Sequence, residues 1–214
     1  MHKLTRPEAP DCLSQYKHGR DKWSSVTDSH KGDIWQRLNQ MQHQCCAYCE
    51  CNIAPIIGNA HIEHFRQRAS HLYPQGAFEW NNIFGSCNRL SSCGKYKDSA
   101  VTYAYQDLIK MDEEDPEDLL LFLPDGSVTP RSNLSSNGRR RAEETIRIFN
   151  LNGALRQIRY NEIQGYQQTA EDLAFFREEL SEEEWHSMLD DELEAIQQLP
   201  FSTAIKHLLL SNLL

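Results

Sequence analysis

Six of the seven cysteines lie between residues 45 and 93, and four of them form two pairs that can converge on a metal ion. Cys46-Ala47-Tyr48-Cys49 is a CxxC, while Cys87 and Cys93 make a wider pair, so the loop at 88–92 is expected to bulge outward. Two thiolate pairs suit tetrahedral zinc with bonds of about 2.3 Å, a closed set that joins chain segments and does no chemistry. Cys45 and Cys51 are alternative ligands on this reading, since either replaces a neighbour after a small shift in register. Between the pairs lies His61-Ile62-Glu63-His64. On a strand, residues 61 and 63 face one way and 64 the other, so a metal-binding carboxylate sits beside a histidine directed at water. Phosphodiester cleavage uses both: a cation to neutralise the phosphate, and a base titrating near neutrality to deprotonate the attacking water. An HxEH by itself fits a satisfied, half-buried histidine as well.

The elements that must position these groups are legible in part. Ile34, Leu38 and Met41 fall at i, i+4 and i+7, which predicts a helix leading into the cysteines. Two short β-prone stretches, 53–57 and 60–64, flank Gly58-Asn59, a pair that suits a hairpin turn. The segment 78–98 is expected to close this unit with a loop and a short helix. Further on, 119–123, Pro124-Asp125-Gly126 and 127–129 read as strand, turn and strand. From Gly138 helical spacing dominates: Ala142, Ile146 and Phe149, then Leu155, Ile158, Tyr166, Leu173 and Leu180 on one long helix. Ser181 and Glu184 fit a capping box ahead of Trp185, Met188, Leu189, Leu193 and Ile196. Pro200 then breaks the run before a last apolar helix. The expected class is α+β, with an N-terminal extension and helix at 1–44, a core at 45–110, and a hairpin with helices at 111–214.

Composition constrains the setting. The chain has 214 residues and a net charge of −9, which argues against a self-sufficient nucleic-acid binder. Residues 161–214, however, hold 12 of the 31 acids and two of the 22 bases, a net −10, leaving +1 for residues 1–160. The acidity therefore belongs to the C-terminal helices. The densest basic stretch is Arg139, Arg140, Arg141, Arg147, Arg156 and Arg159, readable as a DNA or partner contact or as a helix face balanced by Glu143 and Glu144. An odd cysteine count, no apolar leader and no bilayer-length apolar run favour a reducing, cytoplasmic location. Cys12 reads as an isolated small apolar side chain or a free thiol, and His43 and His71 as surface residues.

Taken in order, CxYC at 46–49, Glu63-His64, W-x-N at 80–82 and C-G-x-x-K at 93–97 resemble the HNH (ββα-metal) nuclease family. The likeness continues with a P-D-G hairpin and R-R-x-A-x-x-T-I-x-x-x-N-L-N at 139–152. Over residues 1–160 it is similar to the PtuB-like HNH component of Septu-type and retron-associated anti-phage systems. One departure is Gln67, directly after H-I-E-H-F-R at 61–66, where the family has proline. The resemblance implies a ββα-metal core with zinc-binding cysteines inside a mainly helical chain. It also implies an endonuclease that hydrolyses DNA as effector alongside an SMC/ABC-type ATPase subunit, with Mg²⁺ or Mn²⁺ as catalytic ion.

Position by position, the resemblance makes Glu63 the metal-binding acid, His64 the general base, and Asn82 the residue that braces the loop, with Asn81 as fallback. The family often places His or Asn where this chain has Gly94, which carries no ligand. Asp98 is the preferred second ligand, with Lys97 and Asn88 as alternatives. Lys95 and Lys97 are expected beside the phosphate or on a solvated surface, and His61 behind Glu63 or simply packed. Two other functions fit the residues: a zinc-stabilised nucleic-acid or protein adaptor with a weak site, and a stand-alone restriction-type HNH enzyme.

Overall fold

Helix α1 spans Asp28–Gln42 in the computed structural model, which describes residues 1–53, 58–68, 73–100 and 103–211. Thr27 starts it by accepting a hydrogen bond from the His30 amide at 3.2 Å, satisfying one of the free donors of the first turn. His43, left-handed at φ 49°, ends it. Ile34, Leu38 and Met41 are all buried, as their spacing requires.

Strand β1, Ala60–His64, pairs antiparallel with β2, Ile83–Cys87, in a register that sets Ala60 opposite Cys87 and His64 opposite Ile83. This corrects the expected partner: Ile53 is buried but belongs to no strand, and residues 54–57 lie outside the described set. Every residue of β2 is buried, so it has no period-two alternation to betray it, and its partner lies across a long connection. Helix α2, Cys93–Ala100, follows at once and packs on β2. The result is a strand, strand and helix in chain order.

The second hairpin forms where expected, β3 at Leu120–Phe122 and β4 at Val128–Pro130. Its turn needs Gly126, whose φ is +78° and where a Cβ would come within 2.3 Å of the Arg156 carbonyl. Five helices complete the chain: α3 Ser136–Ile148, α4 Ala154–Ile163, α5 Gln167–Glu179, α6 Glu182–Ile196 and α7 Ser202–Ser211. The long helix expected from 155 to 180 is thus two, divided by a tight 3₁₀ turn at Gln164–Tyr166 that contains Gly165, a weak helix former. The Ser181–Glu184 capping box is present. Among the described residues no helix is long and apolar enough to cross a membrane.

Helix α7 packs against α4, α5, α6 and β3. His207 joins it to the hairpin: its Nδ1 accepts from the Phe122 amide at 2.9 Å, and Nε2 lies 3.1 Å from Glu117, which Lys206 also meets at 2.9 Å. Burial pushes the Glu117 carboxyl up, but His207 and Lys206 outweigh it and hold it at about 2, below its ordinary 4.5. This interaction therefore stabilises the fold fully above about pH 4.5 and is lost as pH falls toward 2. Glu117→Ala is expected to lower the unfolding free energy by about 1–3 kcal/mol at neutral pH. In urea titrations the gap to the parent should narrow below pH 4.5; a gap that widens in acid would refute the assignment.

Candidate metal centre and histidine site

The CxxC sits on a turn knotted by its own backbone. The Cys46 amide donates to the Cys51 carbonyl and the Glu50 amide to the Cys46 carbonyl, both at 2.9 Å. Glu50 adopts a left-handed φ of 63°, an unfavourable choice for a non-glycine residue. Its carboxylate explains the choice: fully enclosed, it takes the Met1 ammonium at 2.5 Å, His2 at 2.7 Å and the Thr203 amide at 3.1 Å. Ala47 donates to the Gly85 carbonyl at 3.1 Å, and Gln42 bridges Cys45 and Gly85, so the turn is fixed to β2.

That docking brings Cys46 and Cys49 to Cys87, at the end of β2, and to Cys93, at the start of α2. The four sulfurs are buried and lie within 4.8 Å of one another, and Cys49 and Cys87 are 4.0 Å apart. Sulfurs on a tetrahedral zinc with 2.3 Å bonds are roughly 3.8 Å apart, so the group can hold a metal such as zinc. Burial pushes the Cys46 thiol up, but hydrogen bonds from the surrounding sulfurs outweigh it and hold it well below its ordinary value. Cys45 and Cys51 are buried but stand outside the set of four. The 88–92 loop bulges as expected, with Leu90 80% exposed.

His64 ends β1 and is 6% exposed. Its Nε2 lies 3.0 Å from the Ala77 carbonyl. A carbonyl only accepts, so Nε2 carries the proton and Nδ1 is left as the acceptor. Trp23 meets the ring edge-on with centroids 4.5 Å apart. Burial pushes the His64 pKa down to about 4, so the ring is neutral at physiological pH. Asn82 staples the corner beside it: Oδ1 accepts from the Arg66 amide at 2.8 Å, while Nδ2 donates to the Arg66 and Gly76 carbonyls at 3.0 Å each. Asn82 is buried and Asn81 exposed, which separates the two candidates.

Glu63 points to the other face of β1. His61 Nε2 lies 2.9 Å from its Oε2, and Lys97 Nζ lies 2.8 Å from Oε1, close but poorly aligned for a hydrogen bond. Burial pushes the Glu63 carboxyl up, yet Lys97 and His61 outweigh it and hold it low. Lys97 is itself fully buried and donates to the His64 carbonyl at 3.1 Å and to Tyr103 at 3.2 Å. This overturns its expected place beside a phosphate: no substrate reaches its ammonium where it stands. Asp98 turns to Lys97 at 2.6 Å and to Gln67 at 3.0 Å. Asp98 and Glu63 do not gather with a third ligand, since among the described residues the four cysteines are the only group of three or more candidate ligands. A Mg²⁺ or Mn²⁺ ion thus does not fit this arrangement, in which an ammonium already meets the carboxylate.

Gly94 faces the same carboxylate. A Cβ at this position would lie 2.4 Å from the Glu63 carboxyl atoms, so the Glu63 side chain takes the space that a side chain at residue 94 would need. Lys95 is exposed, and His61 takes the supporting place behind Glu63. Most of the arginine run is paired within the chain: Arg140 pairs with Asp107, Arg141 with Glu114, Arg147 with Glu144 and Arg156 with Asp125, while Arg159 is buried against the Gly126 and Leu151 carbonyls; Arg139 is exposed, and its guanidinium donates to the Ser132 carbonyl. Arg66 and Trp23 were not singled out by the sequence; Arg66 follows His64 by two residues, which is the one available signal. Set against models of protein families and against curated proteins, the chain matches none.

Two outcomes test the centre. Elemental analysis should find one metal per chain, lost together with cooperative unfolding in Cys46→Ser; retention of both would dismiss the cluster as a ligand set. Gly94→Ala should destabilise by about 1–3 kcal/mol through overpacking against Glu63. In a Glu63→Asp background, where the carboxylate is drawn back, thermal melts should show a smaller cost for the same change.

Proposed function

We propose that this chain is an HNH-type endonuclease whose strand, strand and helix form a ββα core around a structural zinc, with His64 as general base. The observation that carries the reading is the tethered imidazole: a histidine at the end of β1, fixed in one tautomer by Ala77 and set at a corner stapled by Asn82. In this role Nδ1 receives the proton of a water that attacks phosphorus, and the bond from phosphorus to the leaving oxygen breaks. Four buried thiolates leave no open coordination position, which suits zinc in a scaffold role and not at the reacting phosphate.

The dependence on Mg²⁺ or Mn²⁺ stems from the family resemblance, and the Glu63–Lys97 contact argues against it. No step is therefore routed through such an ion. DNA as substrate, the anti-phage role and the ATPase subunit rest on the order of motifs across residues 1–160. They agree with a basic stretch most of whose arginines are paired within the chain. A second reading, a zinc-stabilised nucleic-acid or protein adaptor, is favoured by Lys97 and Gly94 at the Glu63 carboxylate.

Purified protein, alone and with its co-expressed ATPase, is to be tested for nicking of supercoiled plasmid with Mg²⁺, with Mn²⁺ and with EDTA. Nicking that falls by about 10²-fold or more in His64→Ala supports the enzyme. Equal activity in that variant removes His64 from the mechanism, and inactivity under every condition favours the adaptor. Nicking only with the ATPase separates the defence effector from a stand-alone restriction enzyme.

A further inference from the structure

Two residues beyond His64, the Arg66 guanidinium carbon lies 3.4 Å from the ring centroid of Tyr73 and 3.7 Å from that of Tyr105. Two rings at such distances hold the planar cation between their faces. Among the described residues no carboxylate forms an ion pair with it, and its buried Nε has no hydrogen-bond partner. All three groups line one cleft of about 390 Å³ that also reaches Asn82.

The acids in that cleft are already engaged. Glu79 accepts from the Tyr73 hydroxyl at 2.7 Å, Glu113 pairs with Lys110 at 2.8 Å, and Glu114 is taken by Arg141. Arg66 is the cleft cation with no anion of its own. Rings that cover the faces of a guanidinium leave its edge, where the N–H groups lie, as the route to an acceptor. A planar fork of donors matches the oxygens of a phosphate better than a single charge does. Its backbone is fixed to Asn82 at both amide and carbonyl. Two residues of chain span at most about 7 Å, so the backbones of Arg66 and His64 are neighbours, and the cleft shares Asn82 with the corner that holds His64.

We propose that the Arg66–Tyr73–Tyr105 cleft binds a backbone phosphate of the nucleic-acid strand. The choice of a polynucleotide rests on the nuclease reading; the anion site itself rests on the unpaired, ring-held guanidinium. Arg66 is on this view a substrate-binding residue.

The test uses the full chain carrying His64→Ala, so that binding is read without cleavage. Fluorescence anisotropy with labelled single-stranded and duplex DNA is measured across a salt series, with metal content and melting temperature as checks on folding. Adding Arg66→Met should weaken binding about 10-fold at low salt and reduce the slope of log K against log salt by about one, the signature of one lost phosphate contact. Arg66→Lys should keep the slope while losing part of the affinity. Should Arg66→Met not fold, Tyr105→Leu serves in its place: it leaves the charge but unclamps it, and should weaken binding with the slope intact. DNA bound by the parent with affinity and slope unchanged in Arg66→Met, or with unchanged affinity in Tyr105→Leu, overturns the cleft while leaving the nuclease reading standing. No binding by the parent to either DNA, alone or with the co-expressed ATPase, overturns both.

Discussion

Convergence of four sulfurs from two distant segments is the constraint around which the rest is arranged. Cys46 and Cys49 belong to a turn after α1, while Cys87 and Cys93 end one strand and begin a helix. Meeting in a buried volume fixes the turn against β2 and the start of α2 against both. Structural zinc contributes roughly 10–16 kcal/mol in small zinc-bound peptides, comparable to the whole stability of an ordinary domain. The strand pair that carries His64 and Glu63 inherits its position from that meeting.

The two faces of β1 have opposite characters. On one, His64 sits in a mostly apolar setting with a single polar tether. On the other, Glu63, His61, Lys97 and Asp98 form a connected charged group. Breaking a buried ion pair on one side typically costs about 3–5 kcal/mol, because the remaining charge is stranded. The second group is therefore a strong structural device whatever chemistry takes place beside it. Lys97 links the two faces, since the same ammonium holds the His64 backbone carbonyl.

Much of this was legible from residue types and spacing. The four-cysteine group, α1, the second hairpin and the capping box followed from local pattern, while the Asn82 brace came from the family resemblance. The strand partner did not, because β2 is buried on both faces and pairs across eighteen residues of chain. Lys97 was misplaced for a related reason: a lysine among polar neighbours looks solvated until tertiary packing sets a carboxylate against it. The break between α4 and α5 hid because apolar spacing continues through a short 3₁₀ turn. Arg66 drew no notice, since its meaning comes from two tyrosines brought to it from positions 73 and 105.

The Glu50 carboxylate carries one more implication. It directly follows Cys49 in sequence, yet its partners include Thr203 at the start of α7, and its own carbonyl accepts from the Phe201 amide at 3.1 Å. Helix α7 in turn gathers α4, α5 and α6. The last helix is thereby latched to the sulfur turn. A cut that frees the last helix would strip the turn carrying Cys46 and Cys49 of both its Thr203 and its Phe201 contacts.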